Sequence, residues 1–231
     1  MDSPVRYELD DGVATVTMDD GKVNALSPAM LAAVEGALDQ AAEAGAVVVL
    51  QGREGTFSAG FHLPTLRNGG PEATGMVQGG FELAARLLAF PRPVVVACTG
   101  HAIAMASFLL LSGDLRLGAA GPFRVLANEV AIGLTMPRAA IELCRQRLTP
   151  AAFSRAVLLS EPFSPEEAVA AGFLDRVVEP AALAGAAREA ATALTALDAA
   201  AHRASKLRAR DDTLTAIRAA IADDAAELAP A

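Results

Sequence analysis

Cysteine, histidine and surplus positive charge are scarce in this sequence, and each shortage excludes a class of protein. The two cysteines, Cys98 and Cys144, give no disulfide framework and no metal-ligand spacing. The three histidines, His62, His101 and His202, are too dispersed to suggest a metal cluster. The formal net charge is −8, with the acids scattered, so a nucleic-acid footprint is missing. No apolar run reaches the ~18 residues needed to span a bilayer. The opening MDSPVRYELDDG lacks the basic-then-apolar order of a signal peptide. These absences predict a cytoplasmic protein with no membrane partner.

What is present is apolar. Hydrophobic residues make up 53% of the 231-residue chain, which allows one core, or one core with a helical appendage. RYELD and VATVTM alternate like strands around the turn DDG. SPAMLAAVEGALDQAAEAG predicts a helix capped by Ser27, opened by Pro28 and stopped by Gly45. AVVVLQG and PVVVACTG read as strands covered on both faces. Between them come the loop REGTFSAGFHLPTL, the polar, glycine-rich RNGGPEATG and the helical MVQGGFELAARLLAF. AMASFLLLSG predicts a buried helix, and DLRLGAA and FRVLANEV look like strands. From Pro137 onward PRAAIELCRQRL, TPAAFSRAVLL, SPEEAVAAGFL and the alanine-rich segment from Pro180 read as helices. The pattern predicts an α/β core of repeated strand and helix units followed by a helical C-terminal region. KLRAR, residues 206–210, is either a solvated helix face or a phosphate contact.

Candidate chemistry starts at VLANEVAIGL, where Glu129 interrupts an apolar run. A strand residue could point the carboxylate at water; apolar surroundings would instead raise its pKa toward that of a working base. VVVLQGREGTFSAGF and PVVVACTGHAIAMASF each run from an apolar strand into a turn of small residues. Small residues let backbone come close to a ligand. A helix starting after such a turn offers free N–H groups, and two meeting at one point would form an oxyanion hole.

In order along the chain, GKVNALS, FSAGFHL, PVVVACTGHAIAMASFLLLSGDLRL, NEVAIGL and SPEEAVAAGFLDRVV resemble the signatures of the crotonase family, the enoyl-CoA hydratase/isomerase superfamily. The resemblance implies a crotonase-like spiral of repeated ββα units over residues 1–180. It implies a C-terminal helical region over 181–231 that helps build a homotrimer or a dimer of trimers. It implies an acyl-CoA substrate, with CoA part of the substrate, and no metal or other cofactor. The two oxyanion N–H groups then belong to Phe61 and Met105. Ala104, Met105 and Ala106 stand where many members carry glycine, although any residue but proline supplies an N–H. The substrate path is lined by Lys22, Val23, Ala25, Ala59, Gly60, His62, Leu63 and Phe108. His62 replaces a common aspartate and reads as a loop-positioning residue, and Asn24 as one that fixes its loop by side-chain-to-backbone bonds.

Family hydratases typically use two glutamates. Here one position is Phe108, which carries no proton, and the other is Glu129. A single carboxylate beside an oxyanion hole suits the shift of a double bond, which takes a proton from one carbon and returns it two bonds along. The resemblance therefore points to an enoyl-CoA isomerase with Glu129 as its catalytic group. Hydration of a 2-trans-enoyl-CoA and acyl-CoA binding without catalysis remain the alternatives.

Overall fold

The computed structural model describes residues 3–228. β1 (Val5–Asp10) and β2 (Val13–Met18) open it as an antiparallel pair. In α1 (Pro28–Glu43) the Ser27 hydroxyl accepts from the Met30 amide and Pro28 opens the first turn, as the sequence predicts.

Three units then repeat one arrangement: a strand of a large sheet, a strand of a small sheet, then helix. The first is β3 (Val47–Gln51), β4 (Gly55–Ser58), α2 (Leu63–Asn68) and α3 (Gly70–Ala89). The second is β5 (Val94–Cys98), β6 (Gly100–Ile103) and α4 (Met105–Leu111). The third is β7 (Leu115–Ala119), β8 (Val125–Leu126), a 3-10 turn (Val130–Ile132) and α5 (Arg138–Arg145). After α6 (Pro150–Leu159) and α7 (Pro165–Ala171), β9 (Arg176–Val178) returns to the large sheet. α8 (Leu183–Leu194), α9 (Ala199–Ala209) and α10 (Asp211–Leu228) follow. The large sheet has the order β1-β2-β3-β5-β7-β9 and the small one β4-β6-β8. Every pairing after β1–β2 is parallel. This is the crotonase-like ββα spiral, with a helical C-terminal region.

The continuous apolar strands are buried on both faces for the reason their composition suggests. Val47, Val49, Val95, Ala97 and Leu117 pack under α8 against Leu183, Ala187 and Ala191. Val48, Leu50, Val94 and Val96 point the other way, into the main core with α1, α3 and α4. Within the small sheet, β4 and β6 meet through bare backbone: a Cβ on Gly100 would lie 2.0 Å from the carbonyl oxygen of its partner Gly55. α10 lies across α3 and α5. Its Asp224 carboxylate accepts from the Arg138 and Ala139 amides, each at 3.0 Å, and so caps α5. No described helix is long and apolar enough to cross a membrane.

Four local expectations change. FRVLANEV is strand only at Val125 and Leu126, where it pairs with Ala102 and Ile103 of β6. Most of RNGGPEATG is helical, since α3 begins at Gly70 and buries Ala73 and Met76 despite the glycines. β9 interrupts the helical region because β7 leaves it a parallel edge. In KLRAR, Lys206 is buried rather than solvated: Nζ lies 2.6 Å from Asp114 Oδ2, and Arg210 Nη2 lies 2.9 Å from Asp114 Oδ1. Burial lowers the Lys206 pKa to about 8. Of the helical region expected over 181–231, residues 229–231 lie outside the described residues.

Candidate active site

Three loops leave the same end of the small sheet. β4 leads into Ala59-Gly60-Phe61, β6 into Ala104-Met105, and β8 into Ala127-Asn128-Glu129. All three strands are parallel; after a register shift between Thr56 and Ser58, Ser58 lies beside Ala102, and Ile103 lies beside Leu126. The carboxyl ends of parallel strands are where open α/β sheets hold ligands.

The first two loops touch through their backbones. Gly60 has φ +86°, and a Cβ there would lie 2.8 Å from the Ile103 carbonyl oxygen and 3.4 Å from the Met105 nitrogen. Glycine is required twice over, by conformation and by space. The result sets the Phe61 and Met105 amides on adjoining turns. Ala104 aims the second turn. Its φ of 51° and ψ of −126° are a glycine-like combination, which costs an alanine about 1–3 kcal/mol. Bonds on both sides hold it there. Its N–H donates to the Leu126 carbonyl at 2.7 Å, and its carbonyl accepts from the Ser107 amide at 2.8 Å and the Ser107 hydroxyl at 2.7 Å. Met105 opens α4, so no preceding helical turn presents a carbonyl to its N–H.

The loop of Lys22–Leu26 fixes the first turn. Asn24 is fully buried at φ 52°, and its Nδ2 donates to the carbonyls of Met18, Phe57 and Thr56 at 2.9, 3.2 and 3.3 Å. The Asp20 carboxylate accepts from the amides of Lys22, Asn24 and Ala25, which hold its pKa below the ordinary value although its burial opposes them. The Ala59 amide donates to the Val23 carbonyl at 3.0 Å, and Leu26 to Gly60 at 2.8 Å. Lys22, Val23, Ala59 and Leu63 are exposed along this seam, and Ala25 is half-buried. His62 stands at the start of α2 with Nδ1 3.0 Å from the Thr65 hydroxyl.

An aromatic wall backs the seam. The Phe61 ring lies over Gly80, where a Cβ would come within 2.5 Å of it. Phe61 and Phe81 are edge-to-face at 6.3 Å, and Phe81 stacks on Phe108 at 6.1 Å. Phe108, one turn along α4 from Met105, is 1% exposed.

Glu129 lies just before the 3-10 turn and not in a strand. It is 8% exposed, and its Oε2 has no hydrogen-bond partner among the described residues. Burial pushes its pKa up to about 7. Its charge, after burial, also raises the thiol pKa of Cys144 on α5. Asn128 Oδ1, a polar atom on the same loop, is likewise buried without a hydrogen-bond partner among the described residues. The grooves along the outer face of α3, past Leu31 and Met76 and past Phe90 and Ile221, are lined by none of these residues.

Comparison with known proteins agrees with the geometry. The family model for enoyl-CoA hydratase/isomerase matches residues 8–226. A structure described as the apo enoyl-CoA isomerase of Mycobacterium tuberculosis is 49% identical, with a TM-score of 0.94 over 98% of this chain and 100% of that one. Another, described as the probable enoyl-CoA hydratase EchA3 of M. tuberculosis H37Rv, is 50% identical, with a TM-score of 0.94 over 97% and 95%. The probable enoyl-CoA hydratase echA17 of Mycobacterium avium is 29% identical over 174 residues, 74% of this chain and 67% of its own length. The chain belongs to the enoyl-CoA hydratase/isomerase family.

Proposed function

We propose that the chain is an enoyl-CoA isomerase that moves a 3-enoyl double bond to the 2-position. The observation that carries this reading is a pairing. Glu129 is a buried carboxyl with a pKa of about 7, and a phenyl ring stands at position 108. Across Ala59–Leu63, Ala104–Phe108 and Ala127–Glu129, Glu129 is the one carboxylate.

The Glu129 carboxylate takes a proton from C2 of the 3-enoyl-CoA. The electron pair left behind delocalises onto the thioester oxygen and C4. The Phe61 and Met105 amides donate to that oxygen, and each such donor is worth about 3 kcal/mol in the transition state. The protonated Glu129 then returns its proton to C4, leaving the double bond between C2 and C3. A pKa near neutrality serves both halves, because the same group must accept and donate at one pH. Lys22, Val23, Ala25, Ala59, His62 and Leu63 form the path for the CoA moiety. Gly60 lets the two oxyanion turns meet, and Phe108 closes the acyl side.

Hydration of a 2-trans-enoyl-CoA is the second reading. A relative favours it: a structure 50% identical to this chain is described as a probable enoyl-CoA hydratase. A panel of 3-enoyl- and 2-enoyl-CoAs of equal chain length, run in 18O-labelled water, separates the two. Isomerisation without label is expected. Labelled 3-hydroxyacyl-CoA formed at ~1 s⁻¹ or faster, with no isomerisation, would make the protein a hydratase. Loss of turnover by ~10²-fold in Glu129→Gln is the check on the base itself.

A further inference from the structure

We infer that Ser160 is a positioning residue for Glu129, and the inference rests on reading Glu129 as the base. One segment, Ser160–Phe163, clamps the Glu129 loop on both sides. Before Glu129, Val125 and Phe163 exchange backbone hydrogen bonds at 2.9 and 3.0 Å. After it, the Ala131 amide donates to the Ser160 hydroxyl at 3.1 Å. The stretch from Val130 to Thr135 is otherwise exposed. Its remaining hydrogen bonds are local: Ile132 to Asn128 and Glu129, Gly133 to Val130, and Leu134 to Glu129. Among the described residues, the Ser160 bond is the one hydrogen bond that ties this stretch to another part of the chain.

The clamp is itself built rigidly. Ser160 ends α6 in a left-handed conformation, φ 49° and ψ 40°, and is 9% exposed. Phe163 is 1% exposed and packs on Phe173 with ring centroids 5.4 Å apart. The Arg155 guanidinium lies 5.2 Å over the Phe163 ring and pairs with Glu161. The left-handed backbone turns the Ser160 hydroxyl back toward the Glu129 loop. A serine there accepts strain that glycine would avoid, which points to a use for the hydroxyl.

The test is a double-mutant cycle of Ser160→Gly and Glu129→Gln, assayed well below the melting temperature of each variant. Glycine keeps the left-handed backbone without strain and removes the CH2OH side chain, hydroxyl included. Ser160→Gly is expected to lower kcat about tenfold with KM unchanged, as a misplaced base does. In the Glu129→Gln background it is expected to lower the residual turnover no further, because it acts through Glu129. An unchanged kcat, or an equal loss in both backgrounds, overturns the inference. Near wild-type turnover in Glu129→Gln alone overturns instead the reading of Glu129 as base. A measurement on the unaltered protein covers the case of a variant that does not fold. Hydrogen exchange is expected to show the Ala131 amide protected, and fast exchange at Ala131 overturns the clamp.

Discussion

Gly60 and Met105 meet through backbone alone: a Cβ on Gly60 would stand 3.4 Å from the Met105 nitrogen and 2.8 Å from the carbonyl oxygen of Ile103. Gly60→Ala must therefore push the two turns apart, and at φ +86° it also strains its own backbone. The expected outcome is a drop in kcat of about 10²-fold, with acyl-CoA binding weakened less, because amides that match the transition state best are the ones displaced. Steady-state kinetics and calorimetry with an acyl-CoA measure the two. Equal losses in kcat and in binding would remove the oxyanion role from the Phe61 and Met105 amides.

Ala104 gives the opposite expectation. It holds a glycine-like φ and ψ with a methyl group attached. Ala104→Gly is predicted to raise stability by about 1 kcal/mol, because relief of strain exceeds the entropy glycine adds to the unfolded chain. Urea unfolding measures it. A destabilised variant would mean that the methyl packs usefully.

Much of this was legible in the sequence, and the remainder has physical causes. The doubly buried strands announced themselves as VVVL and PVVVAC, and Ser27-Pro28 announced a helix start. Glu129 stood out because a carboxylate is rare in an apolar run. The small sheet was harder to see, since β8 is two residues long and β4 and β6 carry glycines that thin their hydrophobic pattern. Lys206 and Arg210 read as a solvated face or a phosphate contact because Asp114, their partner, lies far back in the chain. Ser160 gave no local signal at all: its partner is a backbone amide 29 residues away.

The Glu129 pKa makes stability and activity run in opposite directions with pH. Its value is raised from 4.5 to about 7 by burial, so the folded state holds the proton more tightly than the unfolded state. The stability this group contributes is fully present below about pH 4.5 and is lost as pH rises through about 7. Glu129→Gln removes the cost of burying the charge. It is predicted to be more stable than the wild type at pH 9, by on the order of 3 kcal/mol, and no more stable near pH 4. Denaturant titrations at the two pH values test this. Turnover by the wild type should rise with pH to a plateau, with a midpoint near 7, because the base acts as a carboxylate. A rate that falls over that range would contradict the assignment.

Assembly follows from the apolar surface around the same loop. Val130, Ile132 and Leu134 are 44, 55 and 52% exposed, and Leu158 and Leu159, at the end of α6, are 62 and 69% exposed. The bond from Ala131 to Ser160 joins the two groups into one neighbourhood. Exposed aliphatic side chains grouped in this way are expected to be covered. We propose that copies of the chain cover them; the family resemblance implies a trimer or a dimer of trimers, which the helical region over 181–231 helps build. Light scattering at micromolar concentration should then give the mass of three or six chains. Leu159→Glu places a charge in the patch and should shift that mass toward the monomer, because an unpaired charge is costly to bury. It should also lower turnover, since the exposed loop that follows Glu129 would lose its cover. A mass of one chain at every concentration would contradict the proposal. So would a Leu159→Glu protein that keeps three or six chains.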